Sequence, residues 1–380
     1  MLRILEIAGM TFIFILIFLS YLIAVFGLIT GWIKAMAQPV PGVAKEKFIS
    51  VIIPFRNEEK TIGQLIHDLK QQEYPRDKFE VILINDHSED NSVNAINEAL
   101  RGPISAKLMN SPAHGKKSAL KEGIRHAIGT IIVTTDADCR VKKGWIRSIN
   151  NSFSEDFIKM TFGAVRIEAG NALFGNMQAL EFSSLIGSGA STTAFGFPTL
   201  CNGANLAFTK DAFTATGGYD GNEHIASGDD EFLMRKIEAT YSNGIRFNNS
   251  SENVVTTYPQ ITINSFLAQR IRWAGKWRHH DGTNSKLLAV YVFLFHLSVI
   301  VLPFFVIMGD ISAYIMFGLL IAKALVEFLF LRQVSSWLLV PWHWLSFLLL
   351  QLVYPIYAVG VAVAALFKKP AWKGRALTSP

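Results

Sequence analysis

The chain has 380 residues, half of them hydrophobic, with a mean hydropathy of +0.29 and a formal net charge of +6. That is too apolar for a wholly water-soluble protein, and two cysteines, Cys139 and Cys201, exclude both a disulfide framework and a four-cysteine zinc site. The small positive balance fits basic loops facing anionic lipid, and no nucleic-acid partner is expected.

Thr11 to Ile33 is a run of 23 uncharged residues. As a helix it measures roughly 34 Å, enough to cross a hydrocarbon core. It is too long for a cleaved signal peptide, and Ala35-Met36-Ala37 lies beyond a full span, so residues 1–37 read as an uncleaved anchor. Gln38 to Lys45 is a linker with Pro and Gly. Residues 46–280 have the size of one large domain. Their first part alternates strand-like apolar runs (Phe48–Pro54, Phe79–Asn85, Thr130–Thr135) with helix-like stretches (Lys60–Gln72, Ser92–Leu100, Lys117–Ala127). This alternation predicts an α/β fold with a parallel sheet and right-handed crossovers, with ligands bound beyond the carboxyl ends of the strands.

The second hydrophobic region covers residues 287–367. Leu287–Met308 and Ile311–Leu331 read as spans, the second with Lys323 and Glu327 four apart on one helix face, where they can pair in a structural or interfacial role. Ser336–Phe367 is 32 uncharged residues interrupted by Pro341 and Pro355. At roughly 48 Å it is too long for one straight span. We expect a short interfacial or re-entrant piece bearing Trp337, Trp342 and Trp344, then a span from Leu348. The tail, 368–380, carries Lys368, Lys369, Lys373 and Arg375. Those charges favour the cytoplasm, whereas four full spans place the tail across the membrane from the central domain.

Several polar clusters fall at the predicted strand ends. Thr135-Asp136-Ala137-Asp138 sets two carboxylates at i and i+2 past a buried strand, a hard oxygen site for Mg²⁺ or Mn²⁺ that leaves further ligands to water and substrate phosphate. Pro54-Phe55-Arg56-Asn57-Glu58-Glu59 and Asn85-Asp86-His87-Ser88-Glu89-Asp90 end the first two strands, where a nucleotide pocket needs polar groups. Asp86 is read as functional, and Asp90 as a cap of the next helix. The lysines of His114-Gly115-Lys116-Lys117 can meet a phosphate or form a solvated charge pair. Ser227-Gly228-Asp229-Asp230-Glu231 is either the acidic first turn of a helix or the seat of a general base. Gln269-Arg270-Ile271-Arg272-Trp273, continuing through Lys276, Trp277 and Arg278, precedes the second hydrophobic region and reads by itself as an interfacial anchor.

In this order the motifs resemble the family 2 glycosyltransferases. The resemblance is to the membrane-integrated branch containing hyaluronan, chitin, cellulose and poly-N-acetylglucosamine synthases and ceramide glucosyltransferase, and it runs from Phe48 to Arg278. It implies a GT-A fold and a nucleotide-sugar donor. It implies that Pro54, Phe55, Asn57, Glu58, Asp86 and Lys117 bind the nucleotide sugar, with Asn202 and Gly203 of Cys201-Asn202-Gly203-Ala204-Asn205 beneath the reacting sugars. Asp136 and Asp138 form the DxD pair, Asp138 being the more direct metal ligand. Asp229-Asp230 matches the acidic pair whose second member, Asp230, is the base. Gln269, Arg272 and Trp273 fill the QxxRW pattern, in which the Arg meets the diphosphate and the Trp the acceptor. Asn85 and Asp229 stand where the family has, respectively, an acid and a Glu.

The resulting expectation is an inverting transferase in envelope glycolipid or polysaccharide synthesis, acting by single displacement. Its donor is expected to be a UDP-sugar, with GDP-mannose open, and its acceptor a lipid-linked or saccharide molecule beside membrane lipid. The catalytic domain is expected on the cytoplasmic side of a bacterial inner membrane. The alternatives are a processive polysaccharide synthase, for which the few spans offer little channel material, and a non-catalytic membrane scaffold with a degenerate transferase domain. A nucleotidyltransferase is disfavoured by the acidic pair followed by QxxRW.

Overall fold

The computed structural model describes residues 2–40, 42–221, 228–276, 283–367, 371–372 and 375–376. Ser227, Trp277, Arg278, Lys368, Lys369 and Lys373 lie outside the described residues. Helix α1 (Leu2–Ala37) comes first, followed by β1 (Ile49–Phe55), α2 (Ile62–Lys70), β2 (Phe79–Asn85), α3 (Ser92–Ala99), β3 (Ala106–Asn110), α4 (Lys116–His126) and β4 (Ile131–Thr134). The four strands are mutually parallel in the order β3-β2-β1-β4. β1 and β4 are buried throughout, as unbroken apolar runs between two helical layers should be. Pro54 is tolerated in β1 because pairing with β4 ends at Ile52↔Thr134, so no ladder donor is lost.

Next come α5 (Trp145–Ser152), β5 (Met160–Gly163), β6 (Val165–Ile167), α6 (Leu173–Ala194), β7 (Leu206–Thr209), α7 (Lys210–Ala215), α8 (Asp229–Thr240), β8 (Ile245–Asn248), β9 (Val255–Thr257) and α9 (Ile263–Gly275). The sheet extends as β4-β7-β5-β8, with β7 antiparallel to both neighbours, and β6 pairs with β9 in a small second sheet. The expected α/β architecture is therefore present, with one reversed strand inserted.

One buried carboxylate braces the start of the sheet. Glu80 accepts from Ser50 Oγ (2.7 Å), the Ile128 N–H (2.8 Å) and Lys107 Nζ (2.9 Å). Beside it Gly129 lies against β1, where a Cβ would stand 2.6 Å from the Ser50 nitrogen, so only glycine fits this loop.

Helices α10 (Thr283–Ile307), α11 (Ala313–Trp337) and α12 (Trp344–Phe367) follow, then the two-residue pair β10 (Ala371–Trp372) and β11 (Arg375–Ala376). Among the described residues four helices, α1 and α10 to α12, are long and apolar enough to cross a membrane. Where an interfacial or re-entrant piece was expected, residues 338–343 form a short non-helical connection between two helices. α11 continues to Trp337, Leu339 turns with φ +57°, and α12 begins at Trp344 and runs through the buried Pro355. Trp342 and Trp344 pack on Phe328 with ring centroids 5.3 and 5.2 Å away, and this aromatic cluster fixes the turn. The predicted pair is present: Lys323 Nζ meets Glu327 Oε2 at 2.9 Å. Gln351 bonds both residues, and the Tyr21 hydroxyl donates to Glu327 Oε1, so α1, α11 and α12 share one polar network.

α6 joins the membrane helices to the sheet domain. It packs against α1, α11 and α12. Ser191 Oγ donates to the Leu28 carbonyl of α1 (2.7 Å), and Gly187 sits against Val334 and Phe330 of α11. Trp32 of α1 meets both Phe247 of β8 and Trp337 of α11.

Candidate active site

The ends of β1 and β2 are laced together by polar side chains. Buried Arg56 donates to the carbonyls of Asp86 (3.3 Å) and His87 (3.2 Å) and to the Glu89 carboxylate (3.0 Å). Asn57, at φ +53°, receives the Glu89 N–H on its Oδ1 at 2.9 Å. The Glu58 N–H donates to Ser92 Oγ, and the Glu58 carboxylate receives the Thr61 hydroxyl. Pro54 and Phe55 are buried within β1. Asp90 accepts from the Ser92 N–H and hydroxyl and from the Glu59 N–H, an Asx-type turn ahead of α3, whose N-cap is Asn91 and not the expected Asp90.

Asp86 is 1% exposed. Both its oxygens accept from the Gly115 N–H, at 3.0 and 3.1 Å, and His87 Nδ1 lies 3.3 Å away. With His114 it forms a group whose ligand atoms lie within 4.8 Å of one another. Asp86 thus joins the end of β2 to the start of α4.

Asp136 and Asp138 follow β4 with alternating exposure: both acids face outward, while Ala137 and Cys139 are buried. The pair offers hard oxygens on one side, and burial pushes the adjoining Cys139 thiol well up, so no thiolate competes. This donor set fits Mg²⁺ or Mn²⁺ completed by water and phosphate. Lys116, the first residue of α4, places Nζ 2.6 Å from Asp136 Oδ1. Burial pulls its pKa down, but Asp136, Asp229 and Asp230 push it up further, and the net shift is upward. Lys117, expected among the nucleotide-sugar-binding residues, lies with Nζ 5.3 Å from the centre of the Phe232 ring. Adjacent residues on a helix point about 100° apart, so only one of the two can face the acids.

Asn202 accepts from the Ala204 N–H, shaping the turn that presents Gly203. The Gly203 carbonyl receives the Thr134 hydroxyl at 2.8 Å, and its N–H donates to Asp230 Oδ2 at 2.9 Å. Gly228, at φ +85°, precedes α8, and a Cβ there would meet the Phe232 ring at 3.0 Å. Asp229 is buried in the first turn. Burial raises the Asp230 pKa above the usual aspartate range; Lys276 opposes this, and Asp229 and Glu231 add to it. Lys276 forms an ion pair with Glu231.

α9 carries the last motif. Burial lowers the Arg272 pKa, while Asp136, Asp229 and Asp230 act to raise it. Arg272 therefore lies in the field of both acidic motifs. Gln269 accepts from Arg270, and Trp273 packs on Phe182 with ring centroids 6.0 Å apart. The structure thus gathers Asp136, Asp229, Asp230, Arg272 and Gly203, and places Gln269 and Trp273 against Arg270 and α6. Three residues absent from the expected site belong beside it: Lys116, Lys276 and the buried Glu181, which pairs with Arg270. Lys116 was legible as one of two adjacent lysines, whereas Glu181 carried no sequence signal.

Residues 50–205 match the Glycosyl transferase family 2 profile, and residues 131–367 match Glycosyl transferase family group 2. A curated relative, 4,4'-diaponeurosporenoate glycosyltransferase of Staphylococcus aureus, is 30% identical over 197 residues, covering 48% of this chain and 49% of its own length. The chain thus spans about half the length of the curated relatives it matches. Among solved structures, a Pyrobaculum calidifontis mannosyltransferase in complex with GDP-Man and Mn²⁺ has a TM-score of 0.58 at 18% identity, covering 97% of this chain and 99% of its own. This likeness shows the shared GT-A-type fold. With a family match over more than half its length, the chain belongs to the family 2 glycosyltransferases, and among its described residues four helices are long and apolar enough to cross a membrane.

Proposed function

We propose that the protein moves a sugar from a nucleotide-diphosphate donor to a lipid-linked or membrane-adjacent acceptor with inversion, using residues 46–280 as the catalytic unit at the cytoplasmic face of the membrane. The observation that carries this reading is Gly203, which accepts from Thr134 at the end of β4 and donates to Asp230, so that the acidic pair stands beside Asp136, with Arg272 in the field of these acids. Three motifs scattered along the chain thereby meet at one place, where a leaving diphosphate and an attacking hydroxyl need opposite charges. The relative named for a single acceptor, 4,4'-diaponeurosporenoate, favours a discrete acceptor over polymer extension.

In this reading Asp230 takes the acceptor proton, and its raised pKa makes it a stronger base than an ordinary aspartate. Backbone N–H groups of Gly203 and Glu231 hold its two oxygens and fix its orientation. Arg272 and Lys116 stabilise the leaving diphosphate, each worth roughly 3 to 4 kcal/mol of barrier for a preorganised group of this kind. Lys116 turns from Asp136 to phosphate as the donor enters. Asp136 and Asp138 would hold a divalent cation, which when bound neutralises charge on the departing diphosphate. Asn57 and Glu58 line the nucleoside end of the pocket, and the buried Pro54, Phe55 and Asp86 support it from beneath.

The test is nucleoside diphosphate release by the purified protein in native-lipid nanodiscs, across UDP- and GDP-sugars with Mg²⁺ or Mn²⁺. Metal-dependent release from one donor, lost in Asp138→Ala, is expected. Nucleotide binding without release from any donor, with acceptor lipids supplied, would overturn the reading. A ladder of product lengths would replace single transfer by polymerisation.

A further inference from the structure

Arg270 and Glu181 are 4% and 7% exposed, yet both are charged, and neither touches the acids of the site. The guanidinium makes a two-point bond to the Glu181 carboxylate, through Nε at 3.0 Å and through Nη2 to the second oxygen. Aromatic rings flank it, with Phe266 at 4.5 Å and Trp273 at 4.4 Å from the guanidinium carbon to each ring centre. The Tyr357 hydroxyl of α12 donates to the same carboxylate at 3.3 Å. One pair thus joins α9, α6 and α12.

A buried ion pair is a poor choice for stability alone, since an apolar pair of similar volume is often as stable. What a planar guanidinium held at two points adds is direction. Residues 270 and 272 are two apart on α9, so their side chains leave the helix about 200° apart. Anchoring one into α6 and α12 turns the other towards Asp136, Asp229 and Asp230. Trp273, one turn beyond Arg270, is fixed in the same act.

We infer that Glu181 and Arg270 are a positioning pair that sets the rotation and depth of α9, and so the placement of Arg272. This rests on the proposed role of Arg272 at the diphosphate. The pair touches no substrate in this account and acts only through α9.

The test uses the full-length protein in nanodiscs and the variant Glu181→Gln/Arg270→Gln, which strands no buried charge. We expect a folded protein that still binds nucleoside diphosphate, though more weakly, because one cation that meets the diphosphate is misplaced. Turnover should fall about 100-fold, the size of one misplaced oxyanion-type donor, with a smaller rise in donor KM. Arg270→Lys, which keeps the charge but not the two-point bond, should fall in between. The deciding measurement repeats the double substitution on an Arg272→Lys background. If the pair acts through Arg272, less than a twofold further loss follows. The full loss recurring on that background, or unchanged turnover in the first variant, would overturn the positioning role while leaving the proposed function standing. An Arg272→Lys enzyme as fast as wild type would overturn the diphosphate role of Arg272, and the positioning pair with it.

Discussion

Replacing Asp230 by Asn separates catalysis from structure. Its two oxygens are committed, Oδ2 to the Gly203 N–H at 2.9 Å and Oδ1 to the Glu231 N–H at 2.8 Å. A carboxamide keeps one of these bonds and turns an NH₂ towards the other donor. The loss is about 1–3 kcal/mol for one unmet buried group. Against this, Asn removes a charge that burial, Asp229 and Glu231 all disfavour, so the net stability change is smaller. At about 2–4 °C per kcal/mol for a domain of this size, melting should move by only a few degrees. Catalysis loses the base outright, a factor of about 10² to 10⁴. The assay is nucleoside diphosphate release at saturating donor and acceptor, with nucleotide binding measured by calorimetry on the same sample. In the wild type, kcat/KM should fall as pH drops through the raised Asp230 pKa, so its acid limb lies above the ordinary aspartate value of 3.8. In the variant that limb should vanish. Turnover within tenfold of wild type, or lost nucleotide binding, would refute the base assignment.

Lys276→Met removes the charge that lowers the Asp230 pKa, so the acid limb should move to higher pH; a limb that stays put or moves down contradicts the assignment. Glu80→Gln should cost about 1.5–3 kcal/mol in urea unfolding at neutral pH, the worth of a charged hydrogen bond. Three bonds outweigh burial and lower the folded Glu80 pKa below its ordinary 4.5. Its contribution is therefore present above 4.5 and lost as pH falls through the lower folded value, and the gap between wild type and variant should close under acid. Lys323→Leu leaves Glu327 and Gln351 without their cation and should destabilise the protein in detergent by about 3–5 kcal/mol, while Lys323→Leu/Glu327→Leu recovers most of the loss. Equal melting of the two variants would show that an unpaired Glu327 carries no cost there and would refute the argument.

The parts legible from sequence were those fixed by local rules. β1, β2 and β4 are short apolar runs ending in polar turns, and all three strands lie within a residue or so of their expected bounds. The Lys323–Glu327 pair followed from helical spacing alone. α6 was not legible because it has no polar face: small residues, Glu181 and aromatics alternate around it, and its contacts with α1, α11 and α12 supply the reason it is a helix. The start of α12 at Trp344, ahead of the expected Leu348, was not legible because an apolar run with prolines does not mark where a helix begins, and the aromatic packing there is tertiary. Lys116 and Lys117 differ only by rotation on α4, which spacing fixes only when the helix start is known to the residue.

The gathering of the acidic motifs follows from the one reversed strand. Had the strand lying beside β4 in the sheet been parallel to it, its first residue would stand at the opposite end of β4, away from Asp136. Instead β7 runs back beside β4, and Leu206 pairs with Thr134. The residues leading into β7 therefore arrive where β4 ends. Gly203 stands there as a single peptide linker, its carbonyl taking the Thr134 hydroxyl and its N–H holding Asp230. Three positions far apart in sequence, 134, 203 and 230, are thus tied through one residue. The chain between them is free to vary without moving the site, and here it includes α6, which packs against the membrane helices. The segment that leads into β7 therefore both ties Asp230 to the end of β4 and, through α6, supplies a surface that packs against α1, α11 and α12.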